Sequence, residues 1–150
     1  MPATRISFRS QMREAAMTLL REYIDSADTK PRPQLYPGRP LKLFPPTMFP
    51  DRFVGRTEFV GDVLIRRTPT LLVTCVWGLF DSKDAVDQAD RFIDGFEDWA
   101  ADHYHAAGAN TLIGAVAYQD DPNWIPDWVP PAEQKSYYAT VLSLEGLALD

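Results

Sequence analysis

A chain of 150 residues, 45% of them hydrophobic, is the size of one domain with a single core, spanning 1–150. No apolar run nears the ~20 residues of a membrane span, the N-terminal MPATRISFRSQMREAAM has no signal-peptide core, and a single cysteine excludes an intrachain disulfide, so a soluble cytoplasmic protein is expected. The net charge of −6 divides into +5 over residues 1–67 (12 Lys/Arg less 7 Asp/Glu) and −11 over 68–150 (3 less 14), a split that suits two surfaces of opposite sign better than a basic tail.

The first predicted element is a helix over about 7–25. Phe8, Met12, Ala15, Ala16, Leu19, Leu20, Tyr23 and Ile24 recur at three- and four-residue spacing, and Arg9, Arg13, Glu14, Arg21 and Glu22 take the other face. Thr4 or Ser7 is the expected cap. Next comes a proline-rich arm, about 28–50, with seven prolines between 31 and 50. Missing donors and extended pre-proline geometry argue against a central strand there. Leu35, Tyr36, Leu41, Leu43, Phe44, Met48 and Phe49 make the arm too apolar for a solvated tether, so it should lie on its own domain or on a neighbour.

Residues 53–65 and 70–80 are predicted strands of a long hairpin, with RRTP as the link. The second strand is apolar on both faces, which places it inside the sheet and makes Cys75 a buried small hydrophobe. Asp81 or Ser82 then caps a helix running to about Ala101. Ala85, Ala89, Phe92, Phe96 and Trp99 repeat at core spacing, while Asp84, Asp87, Asp90, Asp94, Glu97 and Asp98 fall on the wet side. Those carboxylates therefore form a solvated face. A calcium site would need oxygen ligands converging in a glycine-turned loop.

His103 and His105 lie at that helix's end, where capping fits better than a zinc site, and Gly108 or Asn110 is the expected stop. A strand over 111–118 precedes a long loop, about 119–136, and a last strand covers 137–148. Trp124 and Trp128 in that loop suit either an interaction surface or a cover folded over the sheet edge. The plan is α+β: a mixed or antiparallel sheet with a long hairpin, packed against two amphipathic helices. No dinucleotide, P-loop, nucleophile-elbow or zinc spacing occurs, so no catalytic, cofactor-binding or metal-ligating residue is assigned and an enzyme is not expected.

Four stretches sharpen this plan: YPGRPLKLFPPTMFP after the first helix, LLVTCVWGLFD before the acidic helix, DWAADHYHAAGANTLIG, and DDPNWIPDW with YYATVLSLEG. Together they resemble the tail terminator family of long-tailed, siphophage-type bacteriophages over nearly the whole chain, although 119–136 is longer than in compact members. The motifs specify a fold and an assembly rather than a reaction. The resemblance implies a virion structural protein forming a homo-oligomeric ring, usually a hexamer, at the head-proximal end of the tail. Such a ring stops polymerisation of the tail tube protein and joins the head-completion or connector protein, and DNA passes through its lumen without sequence-specific binding. It implies no cofactor and no membrane contact. Arg39, Arg66, Arg67, Trp124 and Trp128 are the candidate subunit or tube interface, with Arg66 and Arg67 expected at the hairpin tip. A head–tail connector or stopper is the alternative within the structural class. A small-molecule binding module, using converging Asp87, Asp94 or Asp98, is the alternative from another class.

Overall fold

The computed structural model describes residues 8–26, 32–61, 64–103 and 113–146. Two helices cover one face of a five-stranded mixed sheet. In chain order the elements are α1 (Phe8–Ser26), β1 (Gln34–Leu35), β2 (Thr47–Val60), β3 (Leu64–Leu79), α2 (Lys83–His103), β4 (Ile113–Trp124) and β5 (Tyr137–Gly146), with a 3-10 turn at Pro131–Glu133. The sheet order is β1-β2-β3-β5-β4; only the short β1–β2 pair is parallel.

The apolar spacing of both helices does what the patterning predicts. Met12, Ala16, Leu19, Leu20 and Tyr23 of α1 and Ala85, Ala89, Phe92, Ile93 and Phe96 of α2 are buried against Leu71, Val73, Cys75, Trp77, Leu142 and Leu144 of the sheet. Ser82 caps α2 by accepting from the Ala85 backbone N–H at 3.3 Å. Gly95 is a poor helix former, but a Cβ there would run into the Tyr23 hydroxyl, which donates to the Phe92 carbonyl at 3.0 Å. β3 lies between β2 and β5, as its apolar faces require. The expected caps Thr4 and Ser7, together with His105, Gly108, Asn110 and residues 147–148, lie outside the described residues.

Three boundaries differ from the sequence reading, each at a proline. β2 begins at Thr47, not 53, and runs through Pro50. The ladder tolerates this proline because the register shifts between Pro50 and Arg52, and β1 pairs β2 only at Thr47 and Met48. The hairpin does not turn at RRTP. Its turn is at Gly61, whose φ of 71° favours glycine, and Arg66, Arg67 and Pro69 belong to β3. Pro69 sits just beyond the Thr70–Glu145 pair, where β3 keeps only its β2 neighbour among the described residues. β4 continues through Pro122 to Trp124, again across a register shift, so the loop begins at Ile125 rather than 119.

The proline-rich arm packs on its own domain. β1 pairs in parallel with the start of β2, and Tyr36 N–H donates to the Met48 carbonyl at 2.9 Å. Tyr36 and Leu43 close over Phe49 on the face opposite the helices. A segment rejected as a central strand thus supplies a two-residue edge strand and three members, Tyr36, Leu43 and Phe49, of a second, smaller apolar cluster.

Candidate functional site

Arg39, Trp124 and Trp128 form one constellation on the helix-free face. Phe49 is buried there, with ring centroids of Trp124 and Trp128 at 6.2 and 5.6 Å and the two indoles 5.6 Å apart. The Trp128 indole N–H donates to the Pro40 carbonyl at 2.9 Å, tying the 125–136 loop to the arm. Arg39 lies over the Trp128 ring at 4.9 Å and reaches Asp51 at 2.7 Å and Asp127 at 3.4 Å. Its hydrogen bond to Asp51 holds its pKa above the ordinary arginine value, against a smaller opposing effect of burial. Arg39 therefore clasps the arm, the start of β2 and the long loop together. Both tryptophans are half-buried in this cluster, so they cover their own sheet.

Arg66 and Arg67 stand elsewhere. Register sets them opposite Glu58 and Thr57, several residues back from the turn, in the part of the hairpin that outruns the sheet. Among the described residues, six β2–β3 pairs, from Gly55–Pro69 to Val60–Leu64, have no β5 neighbour, which makes a two-stranded ribbon roughly 20 Å long at about 3.3 Å per residue. An isolated ribbon of this kind is marginal in water. Here Phe59 is 77% exposed near its end, and Arg56 pairs with Glu58 across its surface.

The acidic side chains of α2 do not converge. Asp84, Asp87, Asp90, Asp94, Glu97 and Asp98 are all exposed, and no group of three or more metal-ligating side chains comes together among the described residues. His103 is exposed in the last turn, stacked on Trp99 at 4.6 Å, with a ring nitrogen 2.9 Å from the Trp99 carbonyl oxygen. No described helix is long and apolar enough to cross a membrane. Cys75 is buried, and desolvation pushes its thiol well above the ordinary range, so it packs as a neutral group.

A polar chain runs from the core to the β4 edge. The Trp77 indole N–H donates to Thr140 Oγ1 at 3.0 Å, and Thr140 Oγ1 donates to Asp120 at 3.0 Å. Burial first, then the neighbouring Asp120 carboxylate and the Asp90 charge, push the Tyr138 hydroxyl up to about 12. The Trp77 and Thr140 donors both find acceptors, which satisfies the buried polar groups without implying chemistry.

Sequence reasoning missed the exposed apolar side chains. Leu41, Phe44, Leu79, Phe80 and Ile125 lie at the sheet end where β3 leads into α2, Val54 and Phe59 along the hairpin, and Val116 and Tyr118 on β4. Alternation within 111–118 marks a strand but not whether it is an edge. With that geometry in view, comparison with protein-family models and with curated proteins finds no match to this chain.

Proposed function

We propose that this chain is a ring-forming virion protein of the tail terminator type, capping the head-proximal end of a tail tube and joining it to the head connector. The β2–β3 ribbon, with Phe59 exposed near its tip, carries this reading: it is an arm whose apolar side chain would gain burial against another molecule. The four sequence stretches that resemble the terminator family add to it, as does the opposite charge of the two parts of the chain. A cyclic ring needs two different, complementary patches on each subunit, and a charge-split subunit can provide them. DNA would pass through the lumen with no base-reading contacts, and the protein would need no cofactor.

Native mass spectrometry and negative-stain microscopy of the purified chain, alone and with purified tail tubes, test the proposal. The expected result is a closed ring, the hexamer foremost, that attaches to one end of the tube and arrests its growth. A ring that binds the head connector but not the tube would make the protein a connector or stopper. A monomer at high concentration that leaves tube growth unchanged would overturn both assembly readings.

A further inference from the structure

The two long edges of the sheet carry unlike strips on the same, helix-bearing side. Beside β2, the guanidinium carbons of Arg9 and Arg13 lie 5.8 and 5.3 Å from the centre of the Phe53 ring. Both arginines are exposed, and Phe59, an even number of residues along β2 from Phe53 and so on the same face, is 77% exposed. This strip is basic and aromatic.

At the far edge, β4 places Val116 opposite Leu144 and Tyr118 opposite Leu142, both core residues under the helices, so these two side chains also take the helix-bearing side. They remain 40% and 52% exposed because the helices pack over β3 and β5 and stop short of the edge. Asp90 and Glu97, two helical turns apart on α2, share the flank that looks toward this shelf. Tyr23 of α1 packs on Phe92, Phe96 and Trp99 and closes on Gly95, so α1 takes the other flank of α2 and leaves Asp90 and Glu97 on the flank away from it, and both carboxylates are exposed. The second strip is acidic and apolar.

The strips match in charge sign and both expose apolar groups, yet they sit at opposite edges of one sheet and cannot meet within one chain. We infer that the Arg9, Arg13, Phe53 and Phe59 strip of one subunit docks on the Asp90, Glu97, Val116 and Tyr118 shelf of a second copy. A patch that binds a different patch on an identical neighbour is heterologous, and repeated laterally it closes a ring or grows a filament. The inference rests on the assembly reading above and assigns the surfaces that reading leaves open. The apolar side chains supply the buried centre of the contact, while the charges set partner orientation and speed encounter.

The test is a charge swap on the full-length chain, read by sedimentation velocity and native mass spectrometry. Arg9→Glu with Arg13→Glu should weaken self-association by at least roughly ten-fold, and Asp90→Lys with Glu97→Lys should do the same, since like charges then face each other. All four changes in one chain should restore assembly. Glutamate at position 9 suits the start of α1, which has no acidic residue in its first turn, so the basic-strip variant should keep its melting temperature. Phe59→Ser, on the projecting ribbon and outside the core, should also weaken assembly without changing the fold. If wild-type assemblies persist in both reversed pairs, this interface is wrong and the ring reading survives. If well-folded reversed pairs lose assembly but the four-fold variant does not regain it, the strips do not face each other. Wild-type chain that stays monomeric, with or without tail tubes, would instead overturn the ring reading itself.

Discussion

The two faces of the sheet bury aromatic clusters assembled by opposite means. On the helix-bearing face, Tyr23, Trp77, Phe92, Phe96 and Trp99 come from two long helices and the central strand, and Tyr23 meets Phe92 and Phe96 edge-on at 5.0 and 5.3 Å. On the other face, Phe49, Trp124, Trp128 and Tyr137 come from strand ends and proline-framed segments, held in place by Arg39 and by the Trp128–Pro40 hydrogen bond. The first cluster is fixed by regular backbone whose periodicity already aims the side chains. The second depends on a few polar ties to hold irregular backbone against one phenylalanine. Damage should therefore spread differently from the two faces.

The largest effect should come from Phe96→Ala or Phe92→Ala, which remove a buried ring from the helix-side core and leave a cavity, at a cost of about 3–5 kcal/mol. Denaturant melts followed by tryptophan fluorescence and by circular dichroism should shift together, because this core joins both helices to the sheet. Separate transitions would mean that the helices are held by something other than this core. Next in size is Gly95→Ala. Helix propensity alone favours alanine by about 1 kcal/mol, but the new Cβ would displace the Tyr23 hydroxyl, and overpacking costs about 1–3 kcal/mol. Net destabilisation is expected, and adding Tyr23→Phe should recover part of it by removing the oxygen. Stabilisation by Gly95→Ala would refute the close approach.

The same contrast explains how much of this molecule could be read in its sequence. Both helices, their buried stripes and the wet acidic face were legible, since period 3.6 is a direct consequence of helix geometry and the core needs one apolar side. The central position of β3 was legible for a similar reason. Prolines misled at Pro50, Pro69 and Pro122, because the rule that strands exclude proline omits bulges and one-sided ladders, and those are where all three sit. Nothing local in Arg39, Asp51 and Asp127 foretells their meeting, which joins residues up to 88 positions apart. Edge status was likewise hidden, so the exposure of Val116 and Tyr118 could not be anticipated.

Arg39→Ala probes the weaker cluster. Its ion pairs are partly exposed, so screening leaves them a few tenths of a kcal/mol each, and the stacking on Trp128 adds a similar amount. A global loss of roughly 1 kcal/mol is expected. The sharper readout is local: limited proteolysis should begin to cut in the arm at Lys42 and in the loop at Lys135 while the helices stay protected. Simultaneous cutting throughout the chain would erase the distinction between the two faces.

The smallest effect is the most discriminating for assembly. Asp87 and Asp94 lie on the side of α2 turned away from its buried residues, whereas Asp90 and Glu97 sit on the flank away from α1, toward β4. Replacing Asp87 and Asp94 by asparagine changes charge but no packing, and each should alter stability by less than about 0.5 kcal/mol, as at ordinary surface sites. Because their carboxylates point away from the β4 shelf, the double variant should also assemble nearly as the wild type does. Any remaining effect on association would come from long-range charge, which decays over a Debye length of about 8 Å at physiological ionic strength, so it should vanish on moving to higher salt. The Asp90 and Glu97 reversal places repulsion inside the contact and should persist there. Equal, salt-insensitive loss of assembly from both pairs would mean that the whole acidic face, not one flank of α2, meets the neighbour.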